Sequence, residues 1–427
     1  MQRSQRVMQL SQILNKSEFH RNILTLMSGT AIAQSIPIIC SPLLSRIFTV
    51  ADYALFGIFM SIVSITSVFA TAKYDYAIVL PKDDEEAYSI LCLSFLIAIF
   101  FTIILFIFSI LLKENILYLL NNPDLTEWLY FIPISVFAIA SLSIFNYWFT
   151  RKRKYKNLAI NKVVKNSSII GSNIILGISR ITSGGLIFGQ IFGTGIASLI
   201  LGRGLLKNKA FLYQNFSLKK IKKVVVQYKD FPLFTLPNTL LSTLSQEMPI
   251  LLISGWFTNE MVGAYFFARK ILSLPMAFIG SSVAQTFYQE FTDMVNSGGK
   301  AKKLLTQTWF HLFLVGFFPL LIVFLYGEII FSFIFGEEWV FAGKIASILS
   351  PLILLNFISS PTSTTYIVLR KQHISLIYGL SVAIYRPLAI YVGYIYNDFY
   401  LGIKLLVIID SFQIFFYNFV ILRKLRK

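Results

Sequence analysis

Charged residues are scarce in this sequence, and acidic residues are scarcer than basic ones. Of the 427 residues, 14% are charged and 56% are hydrophobic, whereas about a quarter of the residues in a soluble domain are charged. This shortage excludes a soluble enzyme and a disordered protein, and it predicts that most of the chain lies in lipid. The apolar runs are continuous rather than alternating, which predicts membrane helices and not a barrel.

Cysteine and histidine are also rare. The two cysteines, Cys40 and Cys92, both fall in apolar segments, which excludes a secreted disulfide scaffold. The three histidines, His20, His311 and His373, are scattered along the chain. No nucleophile–base pair or metal-ligand spacing is recognisable. We therefore expect no catalytic site, no metal site and no organic cofactor.

Twelve segments are long and apolar enough to cross a bilayer as helices of roughly 20 residues. They are 22–44, 53–72, 88–112, 128–149, 163–179, 184–202, 232–254, 261–283, 304–326, 345–369, 374–395 and 400–422. The fifth segment is shorter and more polar than the others. The predicted fold is an all-α integral membrane protein with twelve transmembrane helices.

The basic residues are distributed very unequally between the two sides of this map. If the N-terminus is cytoplasmic, the inner segments hold 30 of the 38 Lys and Arg residues, the outer loops hold 4, and the spans hold 4. Such a bias is typical of cytoplasmic loops. The net charge of +18 is therefore explained by the orientation of the protein in the membrane, with both termini cytoplasmic. It does not indicate binding to nucleic acid.

The chain divides into two halves of six helices with related sequences. Phe48-Thr49 and Phe257-Thr258 occur at equivalent places. An even number of helices gives both halves the same orientation, hence a pseudo-two-fold axis along the membrane normal, which is a transporter architecture. The predicted divisions are an N-terminal segment 1–21, an N-lobe 22–202, a basic linker 203–231, a C-lobe 232–422 and a basic tail 423–427. The linker is expected either to lie on an anionic inner leaflet or to be solvated.

Charges inside the spans are the best candidates for function, because each is costly in hydrocarbon unless it meets a partner or water. At 1.5 Å per residue, Glu247 and Arg269 lie roughly 10–12 Å from the outer face on helices 7 and 8. Arg386 and Asp410 lie roughly 14–15 Å from that face on helices 11 and 12. The C-lobe is therefore predicted to contain two acid–base pairs at matched depths.

Two interpretations of these charges remain open. In the first, Arg269, Arg386 and Lys270 form a cationic cavity for an anionic substrate, and Glu247 or Asp410 binds a coupling proton or Na⁺. In the second, the pairs are structural ion pairs that join neighbouring helices. Lys270 and Lys404 lie nearer to helix ends, where a lysine can also extend its ammonium group to the interface.

Several stretches resemble the bacterial polysaccharide-biosynthesis flippases of the Wzx type. The resemblance is carried, in the family's order, by LLSRIFTVADYALFGIFMSIVSITSVFATAKYDYAIVLPKDDEEA, YWFTRKRKYKNLAI, QYKDFPLFTLPNTLLSTLSQEMPILLI, VGAYFFARKILSLPMAFIG and FGEEWVFAG. These stretches are spread over most of the chain, from Leu43 to Gly343. They are typical of the family but do not identify its sugar.

The resemblance implies the multidrug/oligosaccharidyl-lipid/polysaccharide exporter fold, with two lobes around a central cavity. It also implies that an undecaprenyl-diphosphate-linked oligosaccharide crosses the bacterial inner membrane, in a pathway shared with glycosyltransferases and a polysaccharide polymerase. The family's cationic cavity position corresponds to Arg269. The basic residue ending helix 1 corresponds to Arg46, and the acidic residue opening helix 2 to Asp52. Helix 1 reads AIAQSIPIICSPLL and lacks the arginines of lipid II flippases.

Two functions other than that of a flippase remain open. A multidrug/cation antiporter of the same superfamily would bind cations through carboxylates, whereas this chain has at least as many cations as acids within its spans. A membrane polymerase or ligase would be expected to expose a sizeable periplasmic loop with catalytic residues, and the outer loops are short. We therefore expect a transporter that is not an enzyme and works by alternating access.

Overall fold

The structure, a computed structural model, describes residues 28–206, 218–297, 299–369 and 371–425. The predicted segment 1–21 and the last two residues of the predicted tail 423–427 lie outside these residues. The described part of the chain contains twelve helices of 18 residues or more. They are α1 (Ser28–Ile47), α2 (Val50–Ser67), α3 (Asp84–Leu111), α4 (Ile132–Arg151), α5 (Tyr155–Ile178), α6 (Thr182–Leu206), α7 (Leu236–Trp256), α8 (Asn259–Asn296), α9 (Ala301–Phe335), α10 (Val340–Ser359), α11 (Gln372–Ile395) and α12 (Phe399–Lys424).

The all-α membrane fold with two six-helix lobes is confirmed. Among the described residues, nine helices are apolar and long enough to span a membrane. The long helices outside that set are α5, α7 and α8, and each carries charges within its apolar sequence: Lys162 and Lys165 on α5, Glu247 on α7, and Arg269 and Lys270 on α8. These three helices need polar surroundings inside the protein, because lipid cannot solvate their charges.

The helices of the two lobes pack in the same pairs. In the N-lobe α2 contacts α4, α3 contacts α4, and α5 contacts α6; in the C-lobe α8 contacts α10, α9 contacts α10, and α11 contacts α12. Helix α1 lies against α5, where Lys162 Nζ donates to Thr30 Oγ1 at 3.0 Å, just as α7 contacts α11. This repetition is the packing expected of lobes related by a pseudo-two-fold axis.

The repeated Phe-Thr dipeptide begins the second helix of each lobe. The Thr49 side chain accepts from the Asp52 N–H at 3.3 Å, while the Asp52 carboxylate accepts from the Thr49 N–H at 2.9 Å. Together these bonds form a capping box. Thr258 caps α8 in the same way by accepting from the Met261 N–H. The side that carries these helix starts is called the outer side below, and the opposite side is called the inner side.

The lobes share one hydrophobic core, which lies mainly in the outer half of the bundle. In that core Trp339 of the C-lobe packs edge-on against Tyr53 of the N-lobe, with ring centroids 5.2 Å apart. The inner half contains two separate cores, one built from the N-lobe and the linker and the other from the C-lobe. The lobes are therefore closed against each other on the outer side.

Hydrogen bonds reinforce this outer closure. Ser254 Oγ donates to the Leu120 carbonyl at 2.7 Å, and Trp339 Nε1 donates to the Ser45 carbonyl at 3.0 Å. Each of these bonds joins one lobe to the other at a buried position. An unpartnered buried donor costs about 1–3 kcal/mol, so separation of the outer ends requires replacement partners such as water.

Several predicted helix ends are wrong. The second segment was expected to reach residue 72, but α2 ends at Ser67, and Ala72 and Lys73 adopt positive φ angles of 46° and 62°. The chain then turns back as a 3-10 helix, Tyr74–Val79. Hydropathy cannot detect such a reversal because it depends on backbone dihedral angles at Ala72 and Lys73. Helices α8 and α9 instead continue beyond their predicted ends, since hydropathy marks the lipid-embedded part and not the hydrogen-bonded helix.

The basic linker contains a helix, Leu218–Gln227, that packs on the inner end of α3. Its residues Ile221 and Val224 are buried against the N-lobe. Lys220 pairs with Glu85 at 2.7 Å. Burial, reinforced by a hydrogen bond to Glu86, raises the pKa of Tyr228 to about 12, so the phenol stays a donor at neutral pH. This part of the linker is therefore docked on the protein.

Candidate functional site

A cavity of about 810 Å³ lies inside the C-lobe. Its lining comes from α7, α8, α10, α11 and α12 and from the turn after α10. The family resemblance implies a cavity between the lobes, whereas all the described residues that line this one belong to the C-lobe. Ligand cavities usually measure about 300–1,000 Å³, so this volume suits a sizeable polar headgroup.

The lining combines uncharged polar groups with aromatic rings. It includes the amides Asn238, Gln246 and Asn356, the hydroxyls of Ser242, Ser273 and Ser360, and the tyrosines Tyr265, Tyr378 and Tyr417. Amides and hydroxyls both donate and accept hydrogen bonds, and tyrosine adds a flat apolar face with a polar tip. These groups suit a ligand that has many hydroxyls of its own. Sequence reasoning missed them because serines, asparagines and tyrosines are common along this chain.

Arg269 extends from α8 into the cavity with incomplete bonding. Its Nη1 donates to the Gln246 carbonyl at 2.6 Å, and its Nη2 lies 3.6 Å from Glu247 Oε1. A separation of 3.6 Å is too long for a hydrogen bond. The Arg269 side chain is 27% exposed. The guanidinium therefore has donors that a ligand could use.

Glu247 connects this arginine to the other lobe. Its Oε2 accepts a hydrogen bond of 3.0 Å from Ser61 Oγ on α2. Ser61 is fully buried. A serine in an apolar helix gives no sequence signal for such a contact, so Ser61 was missed. The chain Ser61–Glu247–Arg269 makes the electrostatics of the cavity depend on how the two lobes meet.

Arg386 and Asp410 form a much more complete pair. Arg386 Nε donates to both carboxylate oxygens at 3.1 Å, and Nη2 donates to Oδ2 at 2.9 Å. Asp410 is 1% exposed and also accepts from the Tyr385 hydroxyl. Arg386 Nη1 donates to the Ser245 carbonyl on α7. Both partners line the cavity wall, and together they connect α7, α11 and α12.

The other predicted site residues lie elsewhere. The Lys270 ammonium lies 5.3–5.7 Å from the rings of Tyr53, Phe56 and Phe266, at the contact between α2 and α8. Arg46 is exposed near the outer end of α1. The structure therefore separates Lys270 and Arg46 from the cavity lined by Arg269 and Arg386.

Asp52 also lies outside the cavity. It is buried at the start of α2, where its carboxylate accepts from the backbone N–H and the hydroxyl of Thr49, both at 2.9 Å. These bonds are local to the helix cap. These bonds are sufficient to explain why an acidic residue occurs at this position, and no bound ligand is needed to explain it.

Asp75 is a buried carboxylate of the N-lobe that lies in the turn after α2. It is 2% exposed and accepts hydrogen bonds from Thr71 Oγ1 at 2.7 Å and Ser143 Oγ at 2.6 Å. The signal that could have revealed it is an aspartate directly after an apolar span. Through these two hydrogen bonds Asp75 holds the turn that follows α2 against α4.

Several solved structures with a similar fold are described as transporters or flippases. The chain has a TM-score of 0.74 with a structure described as lipid II flippase MurJ in an inward closed conformation, at 15% identity, with coverage of 93% of this chain and 87% of that chain. It has a TM-score of 0.70 with an inward-facing multidrug resistance MATE family transporter of the MOP superfamily, at 12% identity and 94% coverage of both chains. For an outward-facing MATE transporter the TM-score is 0.59, at 13% identity, with coverage of 95% and 96%.

Sequence comparison gives one family. No curated protein matches the sequence. The family model described as "Polysaccharide biosynthesis protein" matches residues 43–343, which include α2 to α9 in full and carry Asp75, Glu247 and Arg269. This match covers well over half of the chain. The chain therefore belongs to the polysaccharide biosynthesis protein family.

Proposed function

We propose that this protein is a flippase that moves an undecaprenyl-diphosphate-linked oligosaccharide across the bacterial inner membrane by alternating access. The observation that carries the proposal is the incompletely bonded guanidinium of Arg269 in a cavity lined by amides, hydroxyls and tyrosines. Membership of the polysaccharide biosynthesis family supports a glycan substrate. The fold shared with a lipid II flippase supports a lipid-linked one.

The diphosphate is the part of such a substrate that is most costly to move through the hydrocarbon without a protein. An isolated anion in hydrocarbon is prohibitively costly, and a guanidinium offers phosphate oxygens two parallel donors and a permanent charge. Arg269 would bind the diphosphate, and the polar lining would bind the sugars. The polyprenyl chain would remain in the lipid beside the lobes. Because the lobes are closed on the outer side, loading would occur from the inner side.

Coupling to H⁺ or Na⁺ would act through Glu247. Its carboxylate lies beside Arg269 and accepts from Ser61 of the other lobe. A cation that neutralises Glu247 would weaken its hold on both partners, so that Arg269 binds the diphosphate more strongly and the lobes separate more easily. Asp410 is less suited to this role because Arg386 and Tyr385 already occupy its oxygens.

The proposal is tested by deleting the gene and identifying the lipid that accumulates. Polyprenyl-diphosphate glycan should build up in the inner leaflet, and wild-type protein, but not Arg269→Ala, should clear it and restore surface polysaccharide. Mass spectrometry of extracted lipids identifies the sugars. A deletion strain with normal surface polysaccharide and increased sensitivity to cationic drugs would instead identify a multidrug antiporter.

A further inference from the structure

A second cavity, of about 730 Å³, opens at the inner end of the C-lobe. It lies between the last turn of α8, the first turns of α9 and the last turn of α12. Four lysines line it: Lys300, Lys302, Lys303 and Lys424. It is separate from the 810 Å³ cavity and shares no lining residue with it.

The four ammonium groups have no carboxylate partner in the described part of the chain. No Asp or Glu lines this cavity, and none of the five ion pairs found among the described residues involves these lysines. The nearest acidic residue along α8, Asp293, is exposed and does not line the cavity. Like charges around one cavity repel each other, and an anion bound among them would relieve that repulsion.

The equivalent place in the N-lobe has the opposite charge and serves as an internal comparison. Helix α3 follows the second helix of its lobe, as α9 does, and its first turn contains Asp84, Glu85 and Glu86. The chain itself neutralises two of these acids, since Asp84 pairs with Arg151 and Lys152 at the end of α4 and Glu85 pairs with Lys220. The first turn of α9 contains no acidic residue. A positive-inside bias explains why lysines lie on this side, but not why they surround one cavity.

The floor of the cavity is apolar. Met294, Val295, Leu369 and Leu425 line it beneath the lysines and are all half-buried. A free inorganic anion would gain nothing from such a floor. A phosphate attached to a glycerol and acyl chains would place its charge among the ammonium groups and its apolar part on these side chains.

We propose that this cavity binds the phosphate group of an anionic inner-leaflet phospholipid. Lys300, Lys302, Lys303 and Lys424 contact the phosphate, and the four apolar side chains contact the glycerol and the start of the acyl chains. A bound lipid here would connect the inner ends of α8, α9 and α12. The site does not depend on the identity of the transported substrate.

The test uses purified full-length protein and counts retained lipid by native mass spectrometry. Phosphatidylglycerol and phosphatidylcholine are supplied in separate samples. The wild type should retain one phosphatidylglycerol preferentially, and Lys300→Gln/Lys302→Gln/Lys303→Gln should weaken that retention by about tenfold or more. The matched control is Lys219→Gln/Lys222→Gln/Lys223→Gln, which removes three exposed lysines of the linker helix on the same side of the protein. The control should retain the lipid as the wild type does.

A charge-preserving variant and three contrary outcomes complete the test. Lys300→Arg/Lys302→Arg/Lys303→Arg preserves the three charges and should retain the lipid. Retention by this variant would show that the glutamine variant loses lipid because it lacks charge and not because it is misfolded. Equal losses in the cavity and linker triples would overturn the site. Equal retention of phosphatidylcholine would overturn the role of charge, and complete displacement by millimolar inorganic phosphate would overturn the assignment to a lipid.

Discussion

The two arginine–carboxylate pairs of the C-lobe lie at similar depths on neighbouring helices, yet their bonding differs. Arg386 makes three hydrogen bonds to a carboxylate that is 1% exposed. Arg269 lies 3.6 Å from a carboxylate that is 19% exposed. A closed pair connects helices and has little left for a ligand, whereas an open pair can exchange its partner. We therefore propose that the Arg386 pair stabilises the fold and that the Arg269 pair recognises the substrate.

The largest expected effect is on stability. Arg386→Ala should leave Asp410 buried without its charge partner, which typically costs about 3–5 kcal/mol. Thermal unfolding in detergent and protein abundance in membranes measure this loss. Arg386→Ala/Asp410→Ala should recover much of it because no isolated charge remains. A double variant as unstable as the single one would show that the pair does not act as a closed unit.

The next effect is on transport with the fold intact. Arg269→Ala should lower surface polysaccharide by about tenfold to a hundredfold, because each hydrogen bond to a charged group is worth about 1.5–3 kcal/mol. Its unfolding temperature should stay close to that of the wild type. Arg269→Lys keeps the charge without the paired donors and should give an intermediate level. Normal polysaccharide from Arg269→Ala would remove the distinction between the two pairs.

A smaller effect is expected on coupling. Glu247→Gln retains an oxygen acceptor for Ser61 but loses the charge that competes for Arg269. Transport in vesicles should become insensitive to an imposed H⁺ or Na⁺ gradient while remaining measurable without one. Asp410→Asn is the comparison variant, and its principal defect should be in stability. Unchanged gradient dependence in Glu247→Gln would reject Glu247 as the coupling group.

The smallest effect is expected at the contact between the lobes. Ser61→Ala removes one hydrogen bond to Glu247, and because that carboxylate is 19% exposed and can accept from water instead, the loss should be about 0.5–1.5 kcal/mol. The outward-open population should therefore rise by roughly two- to tenfold. Spin-label distances across the outer ends of α2 and α8 measure that population. No change in the distance distribution would mean that this bond does not contribute to the outer closure.

It could be predicted that each carboxylate lies at the depth of its arginine, because the rise of a helix per residue is fixed. Residues at equal depth on consecutive antiparallel helices can meet when their side chains face each other, and the structure brings Glu247 to Arg269 and Asp410 to Arg386. Which pair is open could not be predicted. That depends on groups from other helices, such as the Ser245 carbonyl and the Ser61 hydroxyl, which have no sequence signature.

The fold was more predictable than the position of the cavity. Hydropathy and charge bias follow from the bilayer itself and indicate twelve helices and two lobes. The end of α2 was missed because positive φ angles at Ala72 and Lys73 leave no trace in hydropathy. The position of the cavity within the C-lobe could not be predicted, because the cavity arises where five helices fail to fill space, a property of packing and not of any one segment.

The most direct test of the central assignment measures flipping with purified components. Proteoliposomes containing undecaprenyl-diphosphate-linked glycan are mixed with a glycan-modifying enzyme that cannot cross the bilayer, and modification is followed over time. Wild-type protein should expose inner-leaflet substrate to the enzyme, and Arg269→Ala, reconstituted at the same density and equally folded, should not. Equal flipping by the two proteins would contradict the assignment of Arg269 as the diphosphate-binding residue.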